Sequence, residues 1–203
     1  MKLELKNNQK GFTLVELLAV MVILGIIMAI ALPNVTGILY KNRSSTYVED
    51  AKKLVTTAEY KFRGSNTGII KPADGQCIAM NLAYLDNSEF EEPPNGGEYL
   101  KNQSFVIIKR NGTSYEYYVQ LAEQLKGGSA ARGIPFIKST KLYEEGSTDE
   151  VANIDSGNIF NLSDYAFVYG DDANNETKSN NLKTKIGTSV VSCSKFVYIY
   201  AIE

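Results

Sequence analysis

The 203-residue chain has no histidine and no tryptophan, and it holds only two cysteines and five prolines. Without histidine it lacks the commonest general base and metal ligand at neutral pH, so every Ser-His or Cys-His catalytic arrangement is excluded. No other nucleophile–base constellation stands out, which leaves a tethered enzyme as the least favoured function class. An excess of basic charge is missing too, because 21 Lys and Arg stand against 23 Asp and Glu, a formal charge of −2. A general nucleic-acid binder would be basic or would carry a basic stripe. No internal repeat is present.

The most informative absence is local. From Leu17 to Leu32 no residue is charged or strongly polar. Together with Phe12-Thr13-Leu14-Val15-Glu16 the run has the length of about 20 residues that crosses a bilayer as a helix. It is preceded by Lys2, Lys6 and Lys10, as a secretory signal would be. Such a signal has a shorter apolar stretch with an A-x-A-like cleavage site after it. Here Leu32-Pro33-Asn34-Val35 follows and offers none. The one abrupt junction between small and bulky residues is Gly11-Phe12, ahead of the apolar run. A cut there removes the basic leader and leaves the hydrophobic helix on the product. The mature chain would then hold 18 basic and 22 acidic residues. Glu16 is out of place in this stretch, since an ionised carboxylate in hydrocarbon is costly and implies a partner or a function.

Lys10-Gly11-Phe12-Thr13-Leu14-Val15-Glu16 with a long apolar run behind it resembles the processing and assembly signature of type IV pilins. The resemblance covers roughly the first quarter of the chain. It implies that a membrane prepilin peptidase cuts between Gly11 and Phe12 and methylates the new amine. It also assigns Glu16 to assembly. Gly25 and Pro33 fall at the positions bracketing the segment that unwinds in many assembled pili.

The same residues have a physical reading of their own. After cleavage Phe12 carries a positive amine, and Glu16 lies four residues on, along the same helix face. The pair can close within one chain. Alternatively, helices packed side by side with an axial stagger bring the amine of one subunit to Glu16 of its neighbour. Two costly charges then neutralise each other in a single register. The plainer alternative is a membrane anchor with an incidental interfacial acid.

After Pro33, which is expected to kink or locally open the helix, the pattern becomes amphipathic. Val48, Ala51, Val55, Ala58 and Phe62 recur at steps of three and four, and Gly64-Ser65-Asn66 supplies a stop. One helix from Phe12 to about Arg63 would be roughly 75 Å long. Residues 65–203 suffice for one further domain. Its clearest signal is a hairpin, with Ser104–Lys109 and Ser114–Val119 flanking Asn111-Gly112, a favoured type I′ turn. Tyr115, Tyr117 and Val119 alternate with Glu116 and Gln120, as expected when one face is buried. A short helical piece is expected around Cys77–Leu85 and an edge strand at Ile134-Pro135-Phe136-Ile137. Residues 144–158 read as an acidic loop and 171–181 as a polar one, with further strands at Tyr165–Tyr169 and Phe196–Ile202. The expected fold is thus α+β, with the C-terminal half of a long helix packed on a mainly antiparallel sheet of about four or five strands. The chain divides into a leader (1–11), a helix (12–64) apolar to residue 35 and amphipathic from 36, and a β-rich head (65–203).

Other candidate sites have bland alternatives. Asp171, Asp172, Asn174, Asn175 and Glu176 offer oxygen ligands of the kind Ca²⁺ takes. They lack EF-hand spacing, and a solvated turn is the preferred reading. Glu144, Glu145, Asp149 and Glu150 read as a solvated face. Lys178, Lys183, Lys185 and Lys195 form a loose basic set for which phosphate contact is conceivable, although nucleic acid is not an expected partner. The Asn-x-Ser/Thr triplets, such as Asn102-Gln103-Ser104, are frequent enough to arise by chance. The 13 tyrosines raise adhesion and charge transport, against the default of packing in strands. Cys77 and Cys193 lie in the part destined for the cell exterior, where a disulfide can persist. Two small buried hydrophobes are the alternative.

These features favour a structural subunit stored as a single-pass cytoplasmic-membrane protein and polymerised through its helix into an extracellular pilus. Its expected partners are itself and other pilins, a prepilin peptidase, a membrane assembly platform, and lipid before assembly. No cofactor and no metal is implied. A minor pilin, a pseudopilin of secretion or DNA uptake, and a non-polymerising membrane-anchored binding protein are the alternatives.

Overall fold

The computed structural model describes residues 11–64, 68–85, 90, 92–128 and 130–202. The chain falls into two units, residues 1–41 and 42–203. Apart from Gly11, the predicted leader lies outside the described residues, as do Ser65 and Asn66 of the predicted helix stop.

Helix α1 (Leu14–Arg63) is a single 50-residue helix that contributes to both units. In the first unit its apolar side chains, among them Leu17, Val20, Ile23 and Ile27, are exposed on every side. This part of α1 is apolar and long enough to cross a membrane. The backbone is helical through position 33, where a kink or local opening was expected; the side chains at 32–34 lie outside the described residues.

In the second unit the pattern along α1 changes. Tyr47, Val48, Ala51, Leu54, Val55, Ala58 and Phe62 are all buried, one apolar stripe at helical spacing. Lys52–Glu49 (2.9 Å) and Arg63–Glu59 (2.8 Å) pair within the helix, away from that stripe. The stripe packs on a sheet of seven strands rather than four or five. These are β1 (Cys77–Asn81), β2 (Glu98–Tyr99), β3 (Phe105–Asn111), β4 (Ser114–Gln124), β5 (Ala131–Lys138), β6 (Ala152–Ile154) and β7 (Phe196–Tyr200). Their order is β6-β5-β4-β3-β1-β7, with β2 on the end of β4. All pairs are antiparallel except β1–β7.

Both faces of the sheet are covered, whereas the alternation in β4 suggested one. Ile78, Met80, Val106, Ile108, Val119 and Leu121 pack with the α1 stripe. Cys77, Ala79, Phe105, Ile107, Phe196 and Ile199 point the other way, into a second core closed by Leu162, Leu182 and Val191. Strands buried on both faces are apolar without interruption, which explains Phe105-Val106-Ile107-Ile108. Leu182 belongs to helix α3 (Asp172–Ile186), where a polar loop was expected. With a single buried apolar side chain α3 has almost no periodicity to read. The predicted strand at Tyr165–Tyr169 is a 3-10 turn (Leu162–Tyr165) followed by irregular chain, in which both backbone groups of Val168 go to the Asn175 side chain and a single bond, from Phe167 N–H, reaches β7.

Smaller differences have local causes. Cys77–Leu85 is β1 followed by one helical turn, α2 (Leu82–Leu85), because β1 is pulled between β3 and β7. The predicted acidic loop contains two 3-10 segments and β6. The hairpin turn centres on Gly112-Thr113, since Asn111 still pairs with Ser114. Gly112 has φ +60°, the left-handed region that a two-residue hairpin turn requires and glycine tolerates. Pro135 lies past the β6 pairing, which ends at Gly133, so β5 is the local edge there as expected. Between the pairs Val119↔Ile137 and Leu121↔Ile134, Pro135 and Phe136 oppose Gln120 alone. That two-to-one count is a bulge, where proline is accommodated. The β7 edge is capped too, by Phe196 N–H donating to Ser179 Oγ (3.0 Å) and Phe167 N–H donating to the Ile199 carbonyl (3.2 Å).

A disulfide joins Cys77 of β1 to Cys193 ahead of β7, with Cα atoms 5.8 Å apart and a sequence separation of 116. Closing a loop of that length stabilises the fold by about 4–5 kcal/mol in the chain-entropy model. A buried polar network ties α1 to the sheet on the other face. Glu123 is fully buried and accepts from the Tyr47 hydroxyl, from Asn95 Nδ2 (3.3 Å) and from Gly97 N–H (2.8 Å). The Tyr99 hydroxyl donates to Asp50 of α1. Satisfied in this way, the buried carboxylate avoids the cost of an orphaned charge.

Burial raises the hydroxyl pKa of both Tyr47 and Tyr99, and the carboxylates of Glu123 and Asp50 raise them further. A raised folded-state pKa stabilises below the unfolded value near 10, and the contribution is lost as pH climbs through the folded value. Stability of the head should therefore fall as pH rises above about 10, with Tyr47→Phe flattening the slope. Ultraviolet absorbance should show tyrosines that titrate only as the fold is lost. Titration of all 13 tyrosines near pH 10 with the fold intact would contradict the network.

Candidate assembly site

At the start of α1 the structure brings two residues of the predicted site region together. Thr13 is the N-cap, because its carbonyl accepts from Leu17 N–H (3.2 Å). Its own N–H and its hydroxyl both donate to Glu16 Oε2 at 2.8 Å, and Glu16 N–H returns a bond to Thr13 Oγ1 (3.3 Å). This reciprocal arrangement is a capping box, written T-x-x-E as Thr13-Leu14-Val15-Glu16. The motif stands in the sequence, although the place of Glu16 in an apolar run points first to the Phe12 amine and not to Thr13. Glu16 Oε1 has no hydrogen bond among the described residues. One carboxylate oxygen is thus held by the acid's own helix while the other stays open. Phe12 is 89 % exposed beside it.

The remaining sequence-derived positions are not gathered into this site. Gly25 lies farther along α1, and a Cβ placed there would meet nothing within 4 Å. For Pro33 only the helical backbone is described. Cys77 and Cys193 belong to the second unit.

The polar residues at 171–176 serve the fold. Asp171 caps α3, accepting from Asn174 N–H (3.3 Å). Buried Asn175 acts as a surrogate peptide group. Its Nδ2 donates to the Val168 carbonyl (2.7 Å) and its Oδ1 accepts from Val168 N–H (2.9 Å). Among the described residues no group of three or more His, Cys, Asp or Glu is placed to hold a metal ion.

Three members of the basic set near the C-terminus are likewise engaged with backbone carbonyls. Lys178 Nζ donates to Ala166 (2.5 Å), Lys183 to Ser194 (2.8 Å) and Lys185 to Gly157 (2.9 Å). These lysines fasten the layer over the second core, which explains a basic cluster without phosphate. Most tyrosines are packed, as Tyr115 is against Phe62 with ring centroids 4.8 Å apart.

Thr13→Val removes the hydroxyl from the capping box and leaves the side-chain shape nearly unchanged. Loss of a cap costs about 1 kcal/mol. Amide exchange in detergent micelles should accelerate about fivefold over the first turn of α1, and Thr13→Ser should restore protection. Unchanged exchange in Thr13→Val would show that the box carries no stability.

A family model described as the prokaryotic N-terminal methylation motif matches residues 6–32. The matched span holds Gly11, Phe12, Glu16 and Gly25. A fimbrial protein of Moraxella nonliquefaciens is 35 % identical over 111 residues, covering 53 % of this chain and 71 % of the relative. No solved structure matches. Methylation motif, exposed apolar helix, antiparallel sheet and fimbrial relative agree, and the chain belongs to the type IV pilin family.

Proposed function

We propose that this pilin is the polymerising subunit of a surface pilus, processed between Gly11 and Phe12 and joined to its neighbours through α1. The observation that carries the proposal is Glu16. It lies inside the matched methylation motif, near the start of an exposed apolar helix, with one oxygen capped by Thr13 and the other open. A plain anchor gains nothing from an acid at that place. Before assembly the helix rests in the cytoplasmic membrane as a single span, where lipid covers its side chains. Prepilin peptidase removes the leader and methylates Phe12, and a membrane platform feeds the product into the filament. There the Phe12 amine of one subunit meets Glu16 Oε1 of the next. Neighbouring helices replace lipid around the apolar stretch, and one charge pair sets the axial register. The flexibility needed for that packing is assigned to the segment between Gly25 and Pro33. In this family, a structural one, the head supplies the chemistry of the filament surface.

The surface-exposed protein should begin at methylated Phe12 on N-terminal sequencing. Glu16→Ala should still be cleaved, reach the membrane and fold its head, yet enter sheared filaments far less than the parent. Breaking one side of a buried pair costs about 3–5 kcal/mol, and growth repeats that contact at every step. A protein starting at Met1, or wild-type incorporation of Glu16→Ala in quantitative mass spectrometry of sheared filaments, would overturn the proposal.

A further inference from the structure

On the outer side of the second unit, where the chain leaves the second core and runs toward α3, an open groove of about 770 Å³ lies between residues 167–176 and β7. Its walls include Phe167, Tyr169 and Tyr198, together with Asp172, Glu176 and Lys195. Tyr169 is 97 % exposed, the most exposed large hydrophobic side chain in the head. The segment that presents it is nevertheless fixed at several points. Asn175 holds Val168 by both backbone groups, Phe167 N–H is bonded to Ile199, and Lys178 holds Ala166. A buried asparagine and a lysine are thus committed to fixing a segment that ends in a bare aromatic ring. The Phe167 and Tyr198 rings, which also line the groove, meet at a tilt of 55° with centroids 5.4 Å apart.

Asn175 aside, the charged side chains of the groove are free of internal obligations. Among the described residues the side chains of Asp172, Glu176 and Lys195 make no ion pair or hydrogen bond. The volume is within the range of about 300–1,000 Å³ typical of small-molecule sites. The twelve residues that line it are fewer than the 20–30 residues a side of a standard protein–protein interface. Two carboxylates against one ammonium disfavour an anionic ligand.

We propose that this groove binds a short neutral saccharide. A pyranose offers an apolar C–H face that stacks on the Tyr169 ring. Its hydroxyls donate to the Asp172 and Glu176 carboxylates and accept from the Lys195 ammonium. Held in advance by Asn175 and Lys178, the site loses little conformational entropy on binding. Its biological use as an adhesive contact rests on the reading that the head is displayed on the cell surface. Binding itself does not depend on polymerisation.

The full chain in a detergent without a sugar headgroup is titrated with cellobiose, lactose and N,N′-diacetylchitobiose, followed by saturation-transfer NMR. At least one disaccharide should receive transfer, strongest on the protons of one ring face. Tyr169→Ala, at a fully exposed position, should weaken that binding about tenfold, and Glu176→Gln should weaken it as well. Tyr143→Ala, which removes another exposed tyrosine elsewhere in the head, should leave it unchanged. Absence of transfer to all three sugars, or transfer unaffected by both groove variants, overturns the proposal and leaves the assembly reading untouched.

Discussion

An apolar helix needs cover on every side, and the first half of α1 has none among the described residues of its own unit. Leu17, Val20, Ile23 and Ile27 are all more than half exposed, at roughly 25 cal/mol for each Å² that stays wet. That constraint sorts the rest of the chain. In the proposed function the surrounding medium is lipid first and other copies of the same helix later, and both are apolar. Exchange between them is therefore nearly neutral in hydrophobic energy, so a filament needs a further term to favour one packing over the other. In the proposed assembly a single acid in the apolar stretch, Glu16, supplies that term. The Thr13 cap makes the acid tolerable beforehand by satisfying one oxygen.

The second half of the helix solves a different problem with the same backbone. From Tyr47 onward one stripe is covered by the sheet, and the opposite faces turn polar. The sheet is then committed on that side, and its other face has its own cover in α3 and the chain around Leu162 and Val191. Leu162, Leu182 and Val191 with Phe160, Phe167 and Ile186 supply its apolar contact. Three lysines on backbone carbonyls, an asparagine on Val168, and the Cys77–Cys193 bridge fasten it further.

That difference explains what could be read in advance. The methylation motif, the amphipathic stripe from Val48 to Phe62 and the hairpin around Gly112 each follow a strong local rule, and each was legible. Helix α3 was not, because Leu182 alone gives no period. Tyr165–Tyr169 has the composition of a strand but lost its ladder to Asn175, a contact that no window of sequence reveals. Strand β1 is ambiguous in the sequence, since Cys77-Ile78-Ala79-Met80 is a short apolar run that suits helix or strand. Glu123 was invisible as a core residue because its partners, Tyr47, Asn95 and Gly97, are scattered along the chain. At the assembly site the reverse held. Glu16 is conspicuous in the sequence as an acid in an apolar run, and that run obscures its local partner Thr13.

The central claim is that the open oxygen of Glu16 is completed by a neighbour. Electron cryomicroscopy of purified filaments, at a resolution that shows side chains, measures this directly. The account predicts the Phe12 amine of one subunit within about 4 Å of the Glu16 carboxylate of the next, with Thr13 still on the other oxygen. A filament in which Glu16 meets only its own Thr13, while the neighbouring amine lies elsewhere, would contradict it.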